Sequence, residues 1–160
     1  MNKLSGKIPV TLSNLSQLML LDLSINKLEG EVPLELGRLK NLEVLYLHSN
    51  DLVSGSNNTS LSFLTALTNC SHLKKLHLAS CFFTGKLPDS VGGFSKVLYY
   101  FNIRDNSIAG NIPESIGNLS SLVTLNMWYK LLNGSLPASL GKLEQPQILN
   151  LGKNLRANSR

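Results

Sequence analysis

The sequence predicts an α/β solenoid, in which stacked repeats each contribute one short strand and one helical turn. Apolar residues alternate in one short segment of each repeat, and two leucines three residues apart follow later. A recurrence of about 20 to 50 residues is typical of repeat architectures. The repeats here are spaced by 24, 31, 25, 24 and 24 residues, counted from Leu18, Leu42, Leu73, Leu98, Leu122 and position 146.

The first half of each repeat is predicted to be a strand followed by a turn. In one copy, Leu21 and Leu23 point inward while Asp22 points outward, because side chains alternate along a strand. Neighbouring repeats then pair these strands into a parallel sheet on the concave side. Asparagines after the strands are expected to bond backbone groups that the turn leaves unpaired. They are Asn26, Asn50, Asn106 and Asn154, with Cys81 and Lys130 in the same place in two repeats.

The second half of each repeat is predicted to be extended and then helical for about one turn. Proline removes a backbone donor and glycine permits a tight bend in the Gly30-x-Val32-Pro33 segment. The following x-x-Leu-x-x-Leu pattern is short enough for a 3₁₀ turn. In the 31-residue repeat, residues 53–60 are small and polar and are expected to form a mobile loop. We assign residues 1–160 to a single domain of about six repeats without recognisable caps.

These motifs resemble a known family. The segments Leu28 to Leu39 and Ile108 to Leu119 resemble the plant-specific class of leucine-rich repeats, which implies a right-handed, horseshoe-shaped solenoid. The segment Leu61 to Ser71, with Gly85 to Gly92 after it, is similar to ectodomains of plant receptor-like kinases of the immune-receptor subfamily. The resemblance covers nearly the whole chain and identifies it as a fragment or a truncated relative of such an ectodomain.

The resemblance implies a ligand-recognition module in defence signalling. The ligand would be a peptide or a protein epitope, with a co-receptor ectodomain as a second partner and an extracellular, apoplastic location at the cell surface in the parent protein. The chain itself shows no signal peptide and no membrane segment, since no apolar run reaches about 18 residues. Two alternatives stay open: a secreted inhibitor of a cell-wall-degrading enzyme, and an ice-binding or other surface-ordering protein.

The outward positions of the predicted strands form a candidate ligand-binding surface. Aromatic and arginine side chains tend to dominate the binding energy of protein interfaces, and they are frequent at these positions. The predicted ligand-binding residues are Tyr46, His48, His77, Tyr100, Asn102, Arg104, Trp128 and Tyr129.

Six Asn-x-Ser/Thr sequons indicate a secreted protein that carries surface glycans. The predicted glycosylation sites are Asn14, Asn57, Asn58, Asn69, Asn118 and Asn133.

Several other functions find no support in the residue pattern. The net charge is +5, but the basic residues are scattered rather than gathered in a stripe, so no nucleic-acid partner is predicted. The histidine and cysteine spacing matches no zinc pattern, and we predict no metal site. Cys70 and Cys81 are expected to be buried thiols. No nucleophile elbow, phosphate-binding loop or catalytic carboxylate pair occurs, so we predict neither enzymatic activity nor a cofactor.

Overall fold

A computed structural model describes residues 3–55, 59–128 and 131–152 of the 160-residue chain. Its helical segments are one α-helix and five 3₁₀ turns. The strands are β1 (Ser5–Lys7), β2 (Leu20–Asp22), β3 (Lys27–Glu31), β4 (Val44–Tyr46), β5 (Asp51–Val53), β6 (Lys75–His77), β7 (Thr84–Lys86), β8 (Tyr100–Asn102), β9 (Ser107–Gly110), β10 (Thr124–Asn126), β11 (Leu131–Leu132) and β12 (Ile148–Asn150). The helix is α1 (Ser62–Leu67), and the 3₁₀ turns are Val10–Asn14, Leu34–Arg38, Asp89–Gly93, Glu114–Asn118 and Ala138–Lys142.

A six-stranded parallel sheet forms one side of the solenoid. Its order is β2, β4, β6, β8, β10 and β12, so each repeat adds one strand next to the previous one. The register is uninterrupted, and Leu21, Leu45 and Leu76 face the core in successive strands. Strands pack about 4.8 Å apart, closer than helical turns can, so the stack curves with this sheet inside. We call its solvent-facing side the concave face. The predicted α/β solenoid with parallel strands and 3₁₀ turns is confirmed.

Two further sheets, which the sequence did not predict, flank the stack. β1, β3 and β5 form one three-stranded parallel sheet, and β7, β9 and β11 form another. They are built from the segments expected only to be extended. Glycines at their bends, such as Gly30 and Gly110, have φ of 77° and 83°, a region that disfavours other residues.

The break between the two flanking sheets coincides with the 31-residue repeat. Within the described residues, β5 and β7 do not pair as strands, and isolated bridges join Val53 to Phe82 and Ser60 to Lys86 in this region. At the start of the segment expected to be a mobile loop, Val53 ends a strand, and the buried Ser54 hydroxyl donates to the Thr84 carbonyl at 2.8 Å. Residues 56–58 lie outside the described residues. After them the helix α1 replaces the 3₁₀ turn of the other repeats.

Leucines from consecutive repeats make one continuous core. Leu36, Leu39, Leu42, Leu45 and Leu47 are all fully buried, and they come from the 3₁₀ turn and the following strand of adjacent repeats. Burying one leucine side chain contributes roughly 1.5–3 kcal/mol, so the periodic leucines stabilise the stack between repeats.

The expected asparagine bonds are present where the structure describes them. The Asn50 side-chain amide donates to the Leu47 and Leu23 carbonyls, both at 2.9 Å, and its oxygen accepts the Leu28 N–H at 3.0 Å. Asn106 repeats this pattern. Cys81 occupies the asparagine position in another repeat, where its Sγ contacts two backbone carbonyls. The predicted positions Lys130 and Asn154 lie outside the described residues.

Candidate ligand-binding face

The strand register brings most of the predicted binding residues to the middle of the concave face. Tyr46, His77 and Asn102 lie side by side on β4, β6 and β8. Tyr100 lies on β8 as well, and His48 follows β4 by two residues. These residues come from three repeats, and only the stacking of those repeats makes them neighbours.

Four of these side chains form an aromatic cluster, which consists of Tyr46, His48, His77 and Tyr100. The two imidazoles are stacked, with their centroids 3.9 Å apart and their planes at 19°. Tyr46 contacts both rings edge-on, at 6.0 Å from His48 and 5.9 Å from His77. Tyr100 contacts His77 in the same way at 5.7 Å. Such pairs contribute about 0.5–1.5 kcal/mol beyond their buried area, so the cluster holds its members in place.

The cluster is half-buried, and its histidines favour the neutral form. Burial lowers the pKa of His48, and burial followed by the nearby His48 and Arg104 charges lowers the pKa of His77 to about 4. Both imidazoles are therefore uncharged at neutral pH. The sequence had predicted aromatic side chains on an exposed surface, and their mutual packing is what removes part of that exposure.

Asn102, also predicted to contact the ligand, is nearly buried, and only 5 % of its surface is exposed. Its amide donates to the Tyr100 hydroxyl at 3.0 Å, and its side-chain oxygen accepts the Arg104 N–H at 3.2 Å. Larger neighbours on the same face cover the short side chain of Asn102. Through its two hydrogen bonds, Asn102 positions Tyr100 and Arg104.

Arg104 and Trp128 extend the surface beyond the cluster. The Arg104 side chain is about half exposed, and its Nε lies 3.6 Å from the Asp105 carboxylate. Trp128 is half-buried, and its indole lies against Gly152, where an added Cβ would come within 3.3 Å of Cδ1. Tyr129, also predicted to bind ligand, lies outside the described residues.

The predicted binding residues leave out two contributors to this face, Asp22 and Lys75. The Asp22 carboxylate accepts the Ser24 hydroxyl at 2.6 Å, which holds the pKa of Asp22 below its usual value. Lys75 Nζ lies 5.5 Å from the centroid of the Tyr99 ring, a cation–π arrangement. The available signal was that Lys75 and Asp22 occupy outward strand positions next to aromatic residues.

The predicted glycosylation sites that the structure describes lie away from the concave face. Asn14 and Asn118 end 3₁₀ turns, Asn69 follows α1 and Asn133 follows β11. All four are exposed. The remaining two, Asn57 and Asn58, lie outside the described residues. Glycans at the four described sites would leave the aromatic cluster accessible.

The other polar candidates offer no reactive site in the described parts of the chain. Burial raises the pKa of the Cys70 thiol to about 11, so this thiol is unreactive at neutral pH. Residues 3–55, 59–128 and 131–152 contain no group of three potential metal ligands. Among the helices of these segments, none has the length and apolar character needed to span a bilayer.

Comparison with known proteins agrees with this architecture. Residues 72–94 and 97–119 match the family model for the leucine-rich repeat. The same frame runs through the six strands of the concave sheet. The chain has the leucine-rich repeat fold. Its fold resembles ligand-binding modules rather than catalytic domains.

Curated proteins that are similar to this chain include plant receptors. It is 36 % identical over 106 residues to Receptor-like protein 18 of Arabidopsis thaliana, covering 66 % of this chain and 12 % of the relative. It is 40 % identical over 78 residues to the LRR receptor-like serine/threonine-protein kinase EFR of the same plant, covering 49 % of this chain and 8 % of the relative. The chain thus spans a small fraction of the length of these relatives.

Solved structures of plant receptor ectodomains share the fold. The PEPR1–AtPEP1 structure matches 92 % of this chain and 20 % of its own, with a TM-score of 0.85 and 41 % identity. The Arabidopsis receptor kinase HAESA, solved with the peptide hormone IDA and the co-receptor SERK1, matches 94 % of this chain and 24 % of its own, with a TM-score of 0.85 and 28 % identity. A plant ice-binding protein matches 92 % of this chain and 60 % of its own, with a TM-score of 0.64 and 25 % identity.

Proposed function

We propose that this chain is the ligand-recognition segment of a plant receptor-like kinase, located outside the cell and acting in defence signalling. A peptide or protein epitope would lie across the concave face, and a co-receptor ectodomain would complete the complex. The role in defence rests on the resemblance of residues 61–71 to immune receptors. The peptide complexes of the structural neighbours support the ligand class.

The observation that carries this proposal is the aromatic cluster on the concave face. Tyr46, His77 and Tyr100 present ring edges and polar atoms on three adjacent strands, held rigidly by mutual packing. Rigid aromatic side chains lose little conformational entropy on binding, and they are enriched among residues that dominate interface energy. Arg104 and Trp128 continue this surface toward the last strands. The described glycosylation sites leave it open.

A photo-cross-linking experiment tests the proposal. Tyr100 is replaced by p-benzoylphenylalanine, and the protein is illuminated with the peptide fraction of plant extracellular fluid. Phe82 is 60 % exposed in the segment before β7 and provides the matched aromatic control position. We expect a cross-linked peptide at position 100 and none at position 82, with the adduct identified by mass spectrometry.

The identified peptide then allows a quantitative test by calorimetry. Tyr46→Ala and Trp128→Ala should each weaken its affinity at least about tenfold, because they remove large contact surfaces. Phe82→Ala removes an exposed aromatic ring elsewhere and should leave the affinity unchanged. Circular dichroism confirms that each variant is folded. Unchanged affinity in both concave variants would contradict a ligand site on this face.

Two further measurements distinguish the alternatives. Illumination of the same protein with cell-wall-degrading enzymes in place of the peptide fraction tests the secreted-inhibitor function, which a cross-link to such an enzyme would favour. An ice-binding surface requires a regular array of one short polar residue. The concave positions are mixed here, with Tyr46, His77 and Arg104 interrupting them. Inhibition of ice recrystallisation by the purified chain would revive that alternative.

A further inference from the structure

A groove of about 590 Å³ lies on the flanking sheet of β7, β9 and β11, and its described lining residues include none from the concave strands. One wall comes from residues 59–60, which precede α1 in the 31-residue repeat. The Lys86 N–H donates to the Thr59 carbonyl at 3.2 Å, and the Leu61 N–H donates to the Lys86 carbonyl at 3.1 Å. These bonds hold the wall beside β7. We call this hollow the flanking groove.

The flanking groove runs across the strands and ends at Asn133. Ser60 bridges to Lys86 on β7, and Lys86 pairs with Ala109 on β9. After β11, the Asn133 N–H donates to the Gly110 carbonyl at 3.0 Å. Neighbouring strands lie about 4.8 Å apart, so the groove extends over roughly 14 Å. Its elongated shape suits an oligomer better than a compact small molecule.

The lining of the flanking groove combines hydrogen-bonding groups with small apolar surfaces. The hydroxyls of Thr59 and Ser60 and the side-chain amide of Asn111 can each donate and accept hydrogen bonds. Pro88 and Pro113 line the same groove with C–H groups. A sugar matches both kinds of surface, because each sugar ring carries hydroxyls around its edge and C–H groups on its faces.

The charges in the flanking groove favour an uncharged ligand. Among the described lining residues, only Lys86 and Asp89 are charged, and their charges cancel. The Lys86 stem lies against the backbone at Gly110, where an added Cβ would come within 3.1 Å of Lys86 Cγ. Lysine therefore contributes mainly its apolar stem to the floor of the groove. A neutral oligosaccharide fits this lining better than a nucleic acid, whose binding requires an excess of positive charge.

A glycosylation sequon lies at one end of the flanking groove. The segment Asn133-Gly134-Ser135 is exposed at all three residues, and Gly134 makes a bend with φ of 79°. At the sequons of Asn69 and Asn118, in contrast, the middle residue is buried in the core. A glycan attached to Asn133 therefore begins at the groove, on a segment that is accessible in the folded protein.

We propose that the flanking groove holds the first sugars of an N-linked glycan attached to Asn133. The proposal rests on the predicted glycosylation of this residue and does not depend on a ligand at the concave face. Single hydrogen bonds to sugar hydroxyls contribute little, because water competes for the same groups. The covalent attachment offsets this weakness, since it keeps the sugars beside the groove at an effective concentration on the order of millimolar.

A glycan held in the flanking groove would lie along the flank of the solenoid instead of extending into solvent. It would cover the interruption between the two flanking sheets beside Ser60. The aromatic cluster belongs to the other sheet and would stay accessible. Protein partners would then be excluded from this flank and admitted to the concave face.

Site-resolved cleavage by endoglycosidase H tests the proposal. The 160-residue chain is secreted from cultured cells that attach only oligomannose glycans, in which this enzyme cleaves the bond between the first two sugars. Mass spectrometry follows cleavage at Asn133 and at Asn14 and Asn118, which do not line the groove. We expect cleavage at Asn133 to be at least about tenfold slower in the native protein, because held sugars cannot enter the enzyme. In glycopeptides prepared by proteolysis, the rates should be equal.

Two tyrosine substitutions on β9 distinguish a held glycan from one that is merely crowded. Ala109→Tyr places a ring in the groove and should displace the sugars, so that cleavage at Asn133 rises to the rate at Asn118. Ser107→Tyr adds the same ring to the same side of β9 but outside the groove lining, and it should leave the wild-type rate unchanged. Crowding alone predicts the opposite effect of Ala109→Tyr, because an added ring would slow the enzyme further. Circular dichroism confirms that both variants are folded.

The wild-type chain alone can overturn the proposal, even if Ala109→Tyr fails to fold. An Asn133 that carries no glycan, or whose glycan is cleaved as fast as that of Asn118, would refute a held glycan. Protection that persists in folded Ala109→Tyr would refute the groove as its cause. The cross-linking test at position 100 is independent of these outcomes, so failure of the groove and failure of the concave ligand surface are distinguishable.

Discussion

At the scale of single residues, the inward asparagines connect neighbouring repeats. The Asn106 amide donates to the carbonyls of Leu78 and Ile103 at 2.9 Å and of Arg104 at 3.1 Å, while its oxygen accepts the Phe83 N–H at 3.2 Å. These backbone groups belong to two repeats, and the solenoid interior offers no water to replace the amide. One side chain thus satisfies four main-chain groups at the point where the chain leaves the concave sheet.

Asn106→Ala should destabilise the protein by about 2–4 kcal/mol, because several buried backbone groups lose their partner together. The control is Asn26→Ala, which removes the equivalent inward asparagine of another repeat. Asn26 is only half-buried. Its expected loss is smaller, since water can reach the freed groups. Urea denaturation followed by circular dichroism measures both. Equal losses in the two variants would contradict the argument from burial.

At the scale of the structural element, the glycines of the 3₁₀ turns set the distance between repeats. The turns of adjacent repeats are in contact, and a Cβ added at Gly37, Gly92 or Gly117 would collide with a backbone carbonyl oxygen of the next repeat. The carbonyls belong to Ala66, Ser115 and Ser139. Close approach of two backbones requires a residue without a side chain, so glycine here serves packing rather than an unusual φ.

Gly117→Ala should therefore destabilise the protein by about 1–3 kcal/mol through overpacking against Ser139. Gly141 occupies the same position in the last described turn, and a Cβ there would meet nothing within 4 Å. Gly141→Ala should change stability by less than about 0.5 kcal/mol. Thermal denaturation of both variants measures the change in stability. A comparable loss of stability in Gly141→Ala would show that the destabilisation comes from the turn itself and not from contact with the next repeat.

At the scale of the whole molecule, the described stack exposes core positions at its two ends. Leu15 is 49 % exposed, whereas Leu39, its counterpart one repeat later, is fully buried. Leu149 is 47 % exposed, whereas Leu125 is 1 % exposed in the preceding repeat. A repeat buries its leucines only against neighbours, so each end surface presents apolar side chains.

The 160-residue chain on its own should therefore self-associate through these surfaces. The double variant Leu15→Lys/Leu149→Lys should be monomeric, because charged lysines at sheet ends oppose association. Val97→Lys adds one such charge at a site that is 46 % exposed within the stack, and it should associate like the wild type. Sedimentation velocity over a range of protein concentrations measures the association state of each variant. A wild-type chain that stays monomeric throughout would contradict the prediction.

The sequence alone determined the solenoid, the parallel concave sheet, the 3₁₀ turns and the inward asparagines. These features follow from the spacing of residues within one repeat, which local sterics and side-chain alternation convert directly into structure. It also placed Tyr46, His77 and Tyr100 on one face, since the register continues across the long repeat.

Only the tertiary structure decided how these side chains share that face. The stacking of His48 on His77, the burial of Asn102 beneath Tyr100 and Arg104, and the division of the flanking sheet depend on contacts between residues about 24 to 31 positions apart. Those contacts depend on side-chain volume and rotamer in three repeats at once. A pattern that describes one repeat at a time contains no information about them.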